Sequence, residues 1–276
     1  MRGMDMRRFA LTIALMTLVA PAFAGGTLDR VMGSKILTMS SDAEYPPQSF
    51  LNDKNEMDGF DIDVGKEIAR RLGVALKIVT PGWDVITAGG WAGRWDVSIG
   101  SMAATPERAK VLNFPAIYYF TPASFAAHKD SNITTIGELN DRVIGVCTGC
   151  SYESYLQKNL KLDAPGVPPF TYQVTAKEIK SYETDTNAYD DLRLGQGVRL
   201  EAVLSALPTL REAIKKGYPM KVIGDPVFYE PLAVATDKGD PEFDAKITEA
   251  VDAMRKDGAL KALSEKWYGV DLTSVK

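Results

Sequence analysis

Strand patterns and helix patterns alternate along this chain from Ile36 to Lys266, and that alternation restricts the fold to the α/β class. Residues 36–39 form a short apolar run that ends in Ser40-Ser41-Asp42, which predicts a first strand. Val64, Ile68 and Leu72 recur every four residues and so share one face of a helix. Gly73 follows where a left-handed C-cap residue is needed. Residues 74–80 and 96–99 are further strands, and 100–104 reads as a loop. Thr105-Pro106 places an N-cap residue before a proline at the first helical position, predicting a helix that contains Arg108. A second unit begins near residues 126–132. It has strands at 143–146, 202–204 and 221–223, helices at 151–160, 189–195 and 208–217, and a surface loop at 162–169. Residues 226–237 cross back to the first unit, and helices at 247–258 and 259–266 close it.

The start of the chain has a separate logic. Arg2, Arg7 and Arg8 precede an apolar run over 9–19, then Pro21 and the small-x-small triplet Ala22-Phe23-Ala24. This order predicts a cleavable secretory signal peptide over residues 1–24. The run is shorter than the roughly 20 apolar residues a membrane span requires, and no later stretch qualifies. Removing 24 residues leaves 252 of the 276, enough for two modest lobes with a core each. The leader holds three arginines and Asp5, so its loss moves the formal net charge from −4 to −6. A mildly acidic chain without a basic run does not suit nucleic acid or an anionic membrane surface.

Histidine and cysteine are scarce: His128, Cys147 and Cys150 are all there is. That supply cannot fill a four-ligand zinc site, offers one imidazole base, and leaves no cofactor or metal expected. Cys147-x-x-Cys150 lies between a strand and a helix, where a thioredoxin-like redox pair would also sit. A disulfide and two free thiols are both open at this point.

The order of three stretches is more specific. Tyr45-Pro46-Pro47 stands ahead of Gly59-Phe60-Asp61-Ile62-Asp63. Trp83 follows the second strand. Asp96 to Arg108 then precedes Asn113-Phe114 and Tyr118-Tyr119, and the chain closes with Lys266-Trp267-Tyr268-Gly269. In this order and spacing the sequence resembles the family 3 extracellular solute-binding proteins, receptors of polar amino-acid ABC importers, over nearly all of the expected mature chain. The resemblance implies two α/β lobes joined by two crossing strands, with a ligand cleft between them. On this sequence the lobes fall at 25–126 with 227–276 for the first and 127–226 for the second. It further implies a periplasmic monomer that serves a membrane permease.

Roles follow from the resemblance, each with its own chemistry. Arg108 matches the arginine that takes the ligand carboxylate, for which a rigid guanidinium fork is suited. A cation in the first turn of a helix is disfavoured by about 0.3–1 kcal/mol, which a bound anion would offset. Gly100, Ser101 and Ala103 match a loop giving main-chain and hydroxyl contacts. Ala103 stands where a hydroxyl residue is commoner, so its contact falls to the backbone. Tyr45 and Trp83 match aromatic walls, and Asp42 an acid that meets the ligand side chain at a strand's C-terminal end. Cys150, Ser151 and Tyr152 open a helix whose free N–H groups would meet the carboxylate from the second lobe. The cysteine pair departs from the family pattern and is expected as a disulfide stiffening that loop. Ser205 ends a stretch that in the family ends in the aspartate receiving the α-ammonium. With serine there, that role passes to Asp42, Glu44 or Glu230, or the ligand lacks a free amine. The expectation is a binding protein and not an enzyme. The alternatives are a cyclohexadienyl dehydratase-like activity on the same fold and a soluble sensory receptor.

Overall fold

The computed structural model describes residues 26–162 and 164–274; the expected leader and its cleavage site lie outside the described residues. In chain order the elements are α1 (Thr27–Ser34), β1 (Ile36–Ser40), β2 (Glu44–Tyr45), β3 (Ser49–Leu51), β4 (Met57–Asp58), α2 (Phe60–Leu72), β5 (Ala75–Val79), α3 (Trp83–Thr87), β6 (Val97–Ala103), β7 (Leu112–His128) and β8 (Val143–Cys147). There follow α4 (Ser151–Leu156), β9 (Glu178–Tyr182), α5 (Asp185–Leu192), β10 (Ala202–Ala206), α6 (Leu207–Lys215), β11 (Met220–Asp237), α7 (Pro241–Lys256) and α8 (Ala259–Tyr268).

Two strands decide the architecture. β7 has 17 residues and β11 has 18. At about 3.3 Å per residue each spans roughly 55–60 Å, enough to run through two lobes. They pair antiparallel from His128–Met220 to Leu112–Asp237, with the ladder interrupted between Ile223 and Phe228. The sheet order is β5-β1-β6-β11-β7-β10-β8-β9, so the crossing pair sits in the middle. On one side β1 runs parallel to β5 and β6; on the other β8 runs parallel to β9 and β10. Each side has its own core. Leu37, Ile62, Ile68, Val97 and Val251 are fully buried in the first, and Phe125, Ile144, Val146, Tyr155 and Leu204 in the second. The apolar surface of each lobe is therefore removed from water mostly within that lobe, with Tyr45 and Leu162 reaching across to the opposite core.

The entry to α2 shows how the sequence builds the first lobe. Gly59 has φ 127°, and a Cβ there would lie 2.3 Å from the Gln48 carbonyl oxygen, so only glycine fits. The turn lets Phe60 N–H and Asp61 N–H donate to the carbonyls of Pro47 and Gln48 at 3.1 and 2.8 Å. Val64 and Ile68 are buried as the period predicts, and Gly73 caps the helix at φ 68°.

Several boundaries differ from expectation. The strand at 96–99 continues to Ala103, so Gly100, Ser101 and Ala103 belong to a strand end and not to a loop. The helix expected at Thr105-Pro106 is a single 3-10 turn, Arg108–Lys110, because buried Leu112 draws the chain straight into β7. Three residues have no useful macrodipole, so the expected penalty on Arg108 falls away. The helix expected over 151–160 ends at Leu156. α5 begins at Asp185, four residues before the expected start, because Thr184 and Asn187 form a capping box. Among the described residues no helix is long and apolar enough to cross a membrane.

Candidate functional site

A partly open cavity lies where the ends of β1 and β6 face the starts of α4 and α5. Ten of the eleven predicted residues line it: Asp42, Tyr45, Trp83, Gly100, Ser101, Ala103, Arg108, Cys150, Ser151 and Tyr152. Ser205 does not. It is fully buried on β10, and its hydroxyl oxygen accepts from Tyr189 at 2.9 Å. Glu44, Cys147, Glu183, Thr184, Asp185 and Glu230 complete the lining. Of these, Glu183, Thr184 and Asp185 had no place in the sequence-based site. The only available signal was the Thr184-x-x-Asn187 capping box, which puts Asp185 in the first turn of a helix.

Arg108 is the sole basic side chain among the described lining residues. Its guanidinium lies over the Trp83 ring, 5.2 Å from the centroid. Nη1 donates to the carbonyl of Ala103 and Nη2 to that of Gly149, both at 2.9 Å. The second bond reaches from the first lobe to the loop before α4, so Arg108 joins the two jaws. It also uses the Ala103 carbonyl, the backbone group expected to serve the ligand. Burial draws the guanidinium down to about 10, still protonated at neutral pH.

Tyr45 and Tyr152 face each other across the cleft with hydroxyls 3.2 Å apart. Below them Glu230, on β11, is 3% exposed. It accepts from the hydroxyls of Ser151, of Tyr152 at 2.6 Å and of Thr121 at 3.3 Å. Burial raises its carboxyl above the usual range, while these hydroxyls and the facing Arg108 oppose that rise. Cys147 and Cys150 are joined in a disulfide with Cα atoms 5.7 Å apart, which closes the loop that presents Gly149.

The Ser101 wall is held from behind. Ser101 has φ 53°, a left-handed conformation uncommon outside glycine. Its N–H donates to Tyr118 Oη at 2.9 Å and its hydroxyl to Asp61 at 2.7 Å, while Tyr118 donates to the other Asp61 oxygen at 2.6 Å. Both Ser101 donors are thus engaged within the protein. Desolvation pushes the fully buried Asp61 up to about 7, against those hydrogen bonds.

Charge is the dominant property of the cavity. Asp42, Glu44, Glu183, Asp185 and Glu230 face a single guanidinium. Burial raises Asp42 above the ordinary carboxylate range and pushes Asp185 up to about 7. No group of three or more histidine, cysteine or acidic side chains able to hold a metal occurs among the described residues. The arrangement suits a small molecule that brings positive charge to the acids and one anionic group to Arg108.

Two separately cored lobes, two crossing strands and a cleft with an inter-lobe arginine define a solute-binding protein. The chain belongs to the bacterial extracellular solute-binding proteins, family 3, whose profile matches residues 37–270. It is similar to the L-cystine-binding protein TcyJ of Escherichia coli strain K12, at 30% identity over 90% of this chain and 88% of that protein. It is also similar to an L-arginine-binding protein of Pseudomonas aeruginosa, at 27% identity over 97% and 98% of the two chains. Among solved structures, an ancestral arginine-binding protein bound to arginine superposes with TM-score 0.73 at 28% identity, covering 85% of this chain and 99% of that one. The ancestral amino acid-binding protein AncCDT-1, a precursor of cyclohexadienyl dehydratase, gives 0.75 at 30% identity, covering 88% and 100%.

Proposed function

We propose that this protein captures an amino acid with a cationic side chain in the periplasm and delivers it to the membrane permease of an ABC importer. The observation that carries the choice of solute is the surplus of five carboxyl groups over one guanidinium in the cavity. A neutral amino acid would leave the half-buried Asp42 and the buried Asp185 without a cationic partner. The relatives named for arginine point the same way. In this reading Arg108 holds the α-carboxylate, Trp83 and Tyr45 wall the aliphatic stem, and Asp42 faces the side-chain cation. The chain acts as a monomer after losing residues 1–24. The first lobe comprises 25–126 and 227–276, the second 127–226, and closure follows from a ligand that touches both.

Thermal-shift measurements across the amino acids test this directly. A solute that binds only the folded state stabilises it by about 2.7 kcal/mol at a hundred times its Kd. L-Arginine, L-lysine or L-ornithine raises the melting temperature by several degrees, and L-glutamate does not. Stabilisation confined to neutral or acidic amino acids overturns the choice of solute. Binding without turnover is the accompanying expectation; conversion of prephenate to a decarboxylated product would establish an enzyme instead.

A further inference from the structure

Asp185 stands apart from the other acids of the cavity. Glu230 has three hydroxyl donors and faces Arg108. Asp42 accepts the Glu44 N–H at 2.8 Å, while Glu44 and Glu183 are exposed to water. Asp185 is 6% exposed and lines the cavity, and the neighbouring Ser205 hydroxyl favours its ionised form against the burial that raises it. No ion pair to it occurs among the described residues. A carboxylate has about four acceptor positions, and one neutral hydroxyl is far too little for a buried charge.

We propose that Asp185 is the carboxylate that receives a protonated nitrogen of the ligand, and that Ser205 is the positioning residue that holds it toward the cavity. The proposal rests on the solute being cationic, as argued above. Ser205 is suited to the task because Tyr189 donates to its oxygen at 2.9 Å, which leaves its own proton free for Asp185. The groups that act on Asp185 are Asp42 beyond β1, Tyr45 on β2, Tyr152 on α4, Tyr189 on α5, Ser205 on β10 and Glu230 on β11, and Arg108 lines the same cavity. Apart from Arg108, which faces Glu230, all are acids or hydroxyls, so a cation entering beside Asp42 and Asp185 supplies the missing charge. The ionised carboxylate is then what binds, and with a carboxyl pushed up to about 7 a proton must leave as the cation enters.

Calorimetric titration with L-arginine, L-lysine and putrescine at pH 5.5, 7 and 8 tests this in the wild type, Asp185→Asn, Ser205→Ala and the double variant. Wild-type affinity for the cations falls as the pH drops below 7, approaching tenfold per unit. Asp185→Asn loses at least tenfold at pH 8 and most of that pH slope. Ser205→Ala loses about threefold alone and nothing further in the Asp185→Asn background. Asp185→Asn melts no lower than the wild type at pH 8, since an uncompensated buried charge is gone; if it fails to fold, the affinity and pH slope of Ser205→Ala decide alone. Binding of Asp185→Asn within twofold of wild type, with the slope intact, overturns the assignment. Putrescine, which has ammonium groups and no carboxylate, separates the two readings. Putrescine binding that depends on Asp185 supports the cation site even where no amino acid binds. A wild type that binds L-glutamine and none of the three cations overturns the assignment while leaving a solute-binding protein.

Discussion

At the scale of single residues, the site divides into side chains that reach the cavity and side chains that aim them. Arg108 does both, since its guanidinium bonds Ala103 and Gly149 while resting on Trp83. Arg108→Ala is expected to weaken ligand binding about a hundredfold, roughly 3 kcal/mol, the range for truncating one partner of a buried charge pair. Titration calorimetry reads this, and unchanged affinity would remove the clamp role. Ser205 changes meaning between sequence and structure. Alignment with an aspartate implies that Ser205→Asp improves binding of ordinary amino acids. The structure reverses this, because the new carboxylate would be buried beside Asp185 with Tyr189 as its neighbour. Ser205→Asp is therefore expected to lower the melting temperature at neutral pH, and an unchanged melt would contradict the burial argument.

Elements were legible in the sequence where a local rule governed them. The period of Val64, Ile68 and Leu72 with Gly73 marked α2, and the apolar run at 143–146 marked β8. β7 was not legible as one strand, because Pro115 and Pro122 lie inside it and proline argues against a central strand. A bulge in its ladder with β11 falls at Pro115, while Pro122 keeps register opposite Tyr229. Arg108, Trp83 and the Cys150–Tyr152 stretch were found because each stands in an ordered motif. Asp185 was not, because its value comes from lying next to a strand residue twenty positions away, a proximity that only the packed fold creates. Two predictions belong here. Gly59→Ala forces a Cβ against the Gln48 carbonyl, and is expected to destabilise the protein by about 2 kcal/mol or more, measured by urea unfolding. Replacing both Cys147 and Cys150 with serine reopens a four-residue loop worth about 2 kcal/mol in the chain-entropy picture. It is expected to lower the melting temperature by a few degrees and to weaken binding severalfold, because the loop presents Gly149 to Arg108.

For the whole molecule, the buried acids set a pH signature. Asp61 and Asp185 are both pushed up to about 7, above their unfolded values. Each therefore contributes stability that is full below its unfolded pKa, near 4, and is lost as the pH rises through about 7. The ligand-free protein is expected to melt higher at pH 5 than at pH 8, and a saturating cationic ligand is expected to narrow that difference through its Asp185 share. Scanning calorimetry with and without L-arginine checks the sign. The exposed acids have a different consequence. Glu44 and Glu183 stand in water at the cavity edge, so they contribute little to the bound state. Their field instead reaches out about a Debye length, near 10 Å at 0.1 M salt, and draws cations toward the opening before any contact forms. The speed of capture, more than its strength, then depends on these two side chains. Neutralising both slows association severalfold at low ionic strength, leaves the dissociation rate nearly as it was, and loses its effect in high salt.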